Sequence, residues 1–203
     1  MNKLMHFLMA AALIATAAAA SAADSMPAVG QAAPEFSLPS QTGANISLSS
    51  YRGKWVVLYF YPKDMTQGCT IEAHNFQNAQ SDFNARNAVI LGVSVDSTSS
   101  HQQFCAKDGL TFHLLADTDH TVVSEYGSLG SYNGVSIANR NTFLIDPQGK
   151  IAQVWTKVNP ATAASSVLAA IPATTGTAAL TDSVKPPGPP TATDDKGMVV
   201  VKK

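Results

Sequence analysis

The stretch "KWVVLYFYPKDMTQGCTIEAHNF", residues 54–76, changes its hydrophobic period halfway along and thereby decides the fold. Residues 54–61 are, after Lys54, a continuous run of apolar, β-branched and aromatic side chains, which suits a strand buried on both faces. After the polar loop, Cys69, Ala73, Phe76, Ala79 and Phe83 recur at helical spacing with polar residues between them. A second apolar run, "VILGVSV" at 89–95, reads as another buried strand. Strand, helix and strand within about 40 residues make a βαβ crossover, predicted to be right-handed with parallel strands.

Outward from this unit the chain stays α/β. Residues 99–109, "SSHQQFCAKDG", open on serine cap candidates and close on glycine, so a helix is predicted. "FHLLAD" at 112–117 reads as a short strand or extended loop. "DHTVVSEYG" at 119–127 reads as a short helix with Asp119 as N-cap and Gly127 just past its end. "NTFLIDPQGKIAQVWT" at 141–156 places two strand-like runs around a type I turn, Pro second and Gly fourth, predicting a β-hairpin. "NPATAASSVLAAI" at 159–171 is read as the last helix. Residues 24–50 are turn-rich, and "EFSL" and "ISL" are expected as a small hairpin or edge strands.

The ends differ from the middle. Residues 1–23 carry Lys3, an apolar run from Phe7 to Ala15, and small residues at Ala20 and Ala22. This is the pattern of a secretory signal peptide cleaved after Ala22 or Ala23, and its apolar part is short for a membrane span. Residues 172–203 are rich in Pro, Thr, Gly and Ala and are expected to be a flexible tail. One domain over 24–171 is left between them. The formal net charge is −1 with no basic run, which argues against a nucleic-acid or anionic-lipid partner. Export puts the chain where disulfides persist, and the periplasm is the expected compartment. Two cysteines, Cys69 and Cys105, allow one intramolecular bridge.

Cys69 falls beyond the carboxyl end of the predicted central strand and in the first turn of the next helix. Sites gather at such strand ends, and helix N-termini favour a thiolate. From position alone, a buried cysteine on the apolar helix face is an equal reading. The surroundings favour reactivity. Thr66 brings a hydroxyl, Pro62 stiffens and shields the loop, and Gly68 lets backbone N–H groups approach a ligand.

Pro62, Thr66 and Cys69 form the pattern Pro-x-x-x-Thr-x-x-Cys, and the wider string "FYPKDMTQGCTIE" resembles the active-site signature of peroxiredoxins. It is most similar to the peroxiredoxin Q, or bacterioferritin comigratory protein, subfamily. The likeness runs from about Pro34 to Trp155 through "APEFSLPSQTG", the segment from 89 to 127, and "ANRNTFLIDPQGKI". Three departures stand out. Gln67 replaces a usual proline, Met65 a common aspartate, and His74 the resolving cysteine that many members carry five residues after the reactive one. Cys105 lies where other members place that cysteine, in the following helix.

The resemblance implies a thioredoxin-like fold with a central mixed sheet flanked by helices. It implies a thiol peroxidase that reduces hydrogen peroxide and organic hydroperoxides through a Cys69 sulfenic acid, resolved by Cys105 as a Cys69–Cys105 disulfide. Thr66 and the amides around Gly68 and Cys69 would orient the peroxide. Arg140 would stabilise the thiolate and the charge moving along the O–O bond. Glu72, one turn after Cys69, would orient Arg140 or the loop, or else be a solvated helix carboxylate. A monomer, a dithiol reductant of thioredoxin type and no cofactor are implied. His74, His101, His113 and His120 lack ligand spacing, so no metal is expected. Tyr59 and Phe60 divide between core and site wall, and Trp55 and Trp155 read as packing residues.

Two other functions fit the composition. An exported thioredoxin-like thiol-disulfide oxidoreductase would need C-x-x-C, where this chain has Cys69-Thr70-Ile71-Glu72. An exported binding protein stapled by Cys69–Cys105 would leave Pro62, Thr66 and Arg140 as coincidence.

Overall fold

The structure is a computed structural model that describes residues 26–173. The expected leader over 1–23 lies outside these residues, as does the expected tail beyond Ala173. The first elements are a short antiparallel pair, β1 (Ser37–Pro39) and β2 (Asn45–Ser47), as the 24–50 segment suggested. They are followed by β3 (Trp55–Phe60), α1 (Gln67–Asn78), α2 (Gln80–Ala85) and β4 (Ala88–Ser94). Then come α3 (Thr98–Asp108), β5 (His113–Ala116) and α4 (Thr121–Glu125). The chain closes with β6 (Leu129–Tyr132), β7 (Val135–Ala138), β8 (Thr142–Ile145), β9 (Ile151–Trp155) and α5 (Ala163–Ala170).

Five strands form a mixed sheet in the order β5-β4-β3-β8-β9. β3, β4 and β5 are parallel, β8 runs antiparallel to β3, and β9 runs antiparallel to β8. The central β3 alternates its side chains between two cores. Val57, Tyr59 and Tyr61 face a core with Phe76, Phe83, Phe104 and Val167 from the helices α1, α2, α3 and α5. Val56, Leu58 and Phe60 face another core with Phe36, Leu48, Val123 and Tyr126. Both faces are therefore covered, which is why the run at 54–61 shows no polar alternation. Each phenylalanine fully buried this way contributes about 2–3 kcal/mol.

Four details depart from the sequence reading. The helix expected through Phe83 breaks at Ala79 (φ −89°, ψ 1°), where Gln77 and Gln80 both bond Thr111 before β5. The N-cap of α4 is His120 in a left-handed conformation (φ 66°), not Asp119; the Asp117 carboxylate takes the Val123 N–H at 2.7 Å instead. The β6–β7 hairpin was not anticipated, although Asn133-Gly134 at its turn has positive φ at both residues (50° and 79°), the geometry this dipeptide favours. Tyr59 and Phe60 are both core, one on each face. The 146–149 turn forms as read, with the Gly149 N–H on the Asp146 carbonyl at 2.8 Å.

Candidate active site

Pairing of β8 with β3 assembles the site. Tyr59 stands opposite Thr142, and the Phe60 N–H bonds the Asn141 carbonyl at 2.8 Å. That register delivers Arg140, the residue before Asn141, to the carboxyl end of β3, where the loop to α1 begins. Cys69 is the third residue of α1 and is 1% exposed. The Thr70 N–H is the first to bond back, to the Thr66 carbonyl at 2.9 Å. The amides of Gln67, Gly68 and Cys69 thus precede the first helical bond and point out of the helix start.

Arg140 bridges two acidic partners. Its Nη2 lies 3.3 Å from Cys69 Sγ, and its Nη1 donates to Glu72 Oε2. The Arg140 side chain is only 16% exposed and Glu72 is fully buried, so little water competes for these bonds. Gly68 lies directly under the guanidinium: a Cβ there would be in van der Waals contact with Arg140 Nη2, at 3.4 Å. Glu72 is thus the orienting carboxylate, not the solvated one. Burial pushes its carboxyl up to about 7 against the opposing pull of Arg140, and its Oε1 has no hydrogen-bond partner.

Thr66 occupies the N-cap position without using its side chain as a cap. Its hydroxyl donates to the Lys63 carbonyl at 3.0 Å, which leaves oxygen lone pairs free to accept from a ligand hydroxyl. Pro62 lies on a groove of about 620 Å³ bounded by Lys63, Asp96, Tyr132, Val135 and Ile137. Asn75 Nδ2 donates to the Pro160 carbonyl at 3.0 Å, so the segment before α5 packs on α1.

Cys105 is half-buried on α3, in the face that packs on the Tyr59–Phe76 core. Both cysteines are free thiols. Burial, reinforced by the Asp64 carboxylate, pushes the Cys105 thiol up to about 11. His74, in the place of the family's nearer resolving cysteine, instead pairs with Asp108 of α3 at 3.2 Å.

Sequence reasoning missed a second buried polar group. Asp64 accepts from Tyr61 Oη at 2.7 Å, His101 Nδ1 at 2.8 Å and Ser100 Oγ at 2.7 Å. Asp64 sits inside the quoted motif, and His101 is one helical turn before Cys105. Only the contact between the loop and α3 joins them.

The chain has relatives of the same fold and similar sequence. The model of the AhpC/TSA family matches residues 29–154. A putative peroxiredoxin bcp of Coxiella burnetii is 46% identical over 137 residues, covering 64% of this chain and 89% of that protein. The peroxidoxin BcpB structure of Mycobacterium tuberculosis superposes with a TM-score of 0.68 at 31% identity, covering 72% of this chain and 97% of that one. The bacterioferritin comigratory protein of Xanthomonas campestris, described for its alkyl peroxide reduction, gives a TM-score of 0.64 at 39% identity over 67% of this chain and 89% of that one. With a cysteine held by an arginine at a helix start, on a matching fold and a matching sequence, the chain belongs to the AhpC/TSA family as a peroxiredoxin of the Bcp group.

Proposed function

We propose that the chain reduces hydrogen peroxide and organic hydroperoxides, with Cys69 as the attacking sulfur and Cys105 as the resolving one. The observation that carries this reading is the 3.3 Å contact between Arg140 Nη2 and Cys69 Sγ at the start of α1. A guanidinium so placed stabilises negative charge on the sulfur and on the oxygens as the O–O bond breaks. The Cys69 thiolate takes the near peroxide oxygen, the far oxygen leaves as water or an alcohol after gaining a proton, and Cys69 becomes a sulfenic acid. The Thr66 oxygen accepts from the peroxide hydroxyl, and the amides at Gly68 and Cys69 donate to its oxygens.

Cys105 then attacks the sulfenic sulfur. The S–O bond breaks, an S–S bond forms, and water leaves. A dithiol reductant of thioredoxin type reopens the disulfide, and the enzyme works as a monomer. The thiol-disulfide oxidoreductase reading fits less well, since Glu72 occupies the second cysteine's place and is bonded to Arg140.

Intact mass tests the assignment. One equivalent of hydrogen peroxide removes 2 Da from the reduced wild type (about; two hydrogens). Cys105→Ser gains oxygen instead, and Cys69→Ser is inert. Peroxide consumption by Cys69→Ser overturns the assignment. Export to the periplasm is supported by the leader-like residues 1–23. The mass of the exported chain is expected to begin at Ala23 or Asp24.

A further inference from the structure

We propose that Asp64, His101, Tyr61 and Ser100 form a buried latch that holds the loop after β3 against α3 and sets the rate at which Cys105 reaches Cys69. The inference rests on Cys105 being the resolving residue.

The latch is built from both sides. From the loop, Tyr61 and Asp64 reach toward α3; from α3, Ser100 and His101 reach back. Asp64, His101 and Tyr61 are each no more than 5% exposed. Tyr61 Oη also lies 3.3 Å from His101 Nδ1, so the three groups close a triangle. A second tie runs the other way: Asp96, just before α3, accepts the Asp64 backbone N–H at 2.9 Å and is itself held by Ser94 Oγ at 2.8 Å. Burial alone would raise the Asp64 carboxyl, yet bonds from His101, Tyr61 and Ser100 hold it below the ordinary carboxylate range. The carboxylate is therefore ionised, and its bonds are of the charge-assisted kind.

The latch is placed on the path of the resolving step. Cys105 follows His101 by four residues and so lies on the same face of α3. Cys69 follows Asp64 by five residues, beyond the Thr66 turn. The two thiols are free. Joining them requires their Cβ atoms to come within about 4.5 Å and the S–S bond to form, with specific geometry. Any movement of the start of α1 toward α3, or of α3 out of its packing, acts against these bonds. While they hold, Cys105 also stays half-buried and beside the Asp64 negative charge, and burial first, the charge second, oppose its ionisation. The latch thus holds α3, and Cys105 with it, in place until the loop lets go.

Two fates compete for the Cys69 sulfenic acid. Attack by Cys105 gives the disulfide and water. Attack on a second peroxide gives the sulfinic acid and water or an alcohol, by transfer of one more oxygen. A tighter latch favours the second fate at high peroxide.

The test uses the full chain. Reduced wild type, His101→Phe and Ser100→Ala are mixed with hydrogen peroxide, quenched in acid at set times, and weighed intact. His101→Phe is expected to form the sulfenic acid at a rate within about twofold of wild type, and to close the disulfide about tenfold faster, the effect of losing a hydrogen bond to a charged group. Its sulfinic fraction at high peroxide falls in proportion. Ser100→Ala, the milder change, is expected to close about threefold faster. A merely structural role would lower the melting temperature without moving the ratio of disulfide to sulfinic acid. Closure unchanged or slowed in Ser100→Ala, or in a folded His101→Phe, overturns the latch. Wild type that accumulates sulfenic acid and never loses 2 Da (about; two hydrogens) overturns the role of Cys105, and the latch with it. Closure that occurs in wild type but ignores both substitutions overturns the latch alone.

Discussion

Glu72 is the residue whose environment has the clearest solution signature. Its carboxyl is raised from 4.5 to about 7, first by burial, while Arg140 pulls it the other way. Between those two values the folded chain holds a proton that the unfolded chain has lost. Stability from this group is therefore full below about 4.5, falls as pH rises toward 7, and is flat above. Glu72→Gln is expected to abolish this slope. Urea melts at pH 5 and pH 8 test it: wild type should lose about 1–3 kcal/mol relative to the variant over that interval. Equal pH dependence in the two proteins would mean that Glu72 is ionised throughout. The same variant loosens Arg140, because an amide replaces the carboxylate that fixes its Nη1.

At the scale of elements, the sheet and the last turn of α1 are joined by close contacts that start at β4. Gly92 pairs with Tyr59 of β3 on one side and Leu114 of β5 on the other. A Cβ there would stand 2.7 Å from Leu114 Cδ2, 2.7 Å from Tyr59 Cζ and 2.8 Å from the Tyr59 hydroxyl. Tyr59 in turn stacks on Phe76 of α1 at 4.7 Å between ring centroids. Gly92→Ala should therefore push a core ring toward the helix that carries Cys69, costing about 1–3 kcal/mol in a denaturant melt. An unchanged midpoint would show that Tyr59 can yield without disturbing α1. The glycine is legible in "VILGVSV", but its function is not: the Tyr59 ring and the Leu114 side chain it admits come from strands on either side.

For the whole molecule, the proposed two-thiol mechanism predicts that oxidation and local order are linked. The latch, the His74–Asp108 pair and the Tyr61–Phe104 contact all join α3 to the β3–α1 region. The disulfide form is expected to exchange backbone hydrogens faster over 66–74 and 98–109 than the reduced form, with the β3, β4 and β8 strands unchanged. Equal protection in both redox states would mean that the bond forms without unwinding. Among the described residues no helix is long and apolar enough to cross a membrane.

Much of this protein was determined by local pattern. The βαβ unit followed from the change of period between 54–61 and 69–83, because burial on both faces and helical burial leave different spacings. The DPQG hairpin followed from turn chemistry, and Cys69, Thr66 and Pro62 from a contiguous motif. These features are set by neighbours in the chain. The tertiary structure decided the rest. The antiparallel pairing of β8 on β3 brings Arg140 to Cys69 across 71 residues of sequence. Arg140 so placed also bonds the buried Glu72, where spacing alone allowed a solvated carboxylate. Nothing in the order of residues pairs Asp64 with His101; the packing of α3 on the loop brings them together and buries both. Charge and hydrogen-bond chemistry depend on distance and desolvation, and both are properties of the folded chain, not of the order of its residues.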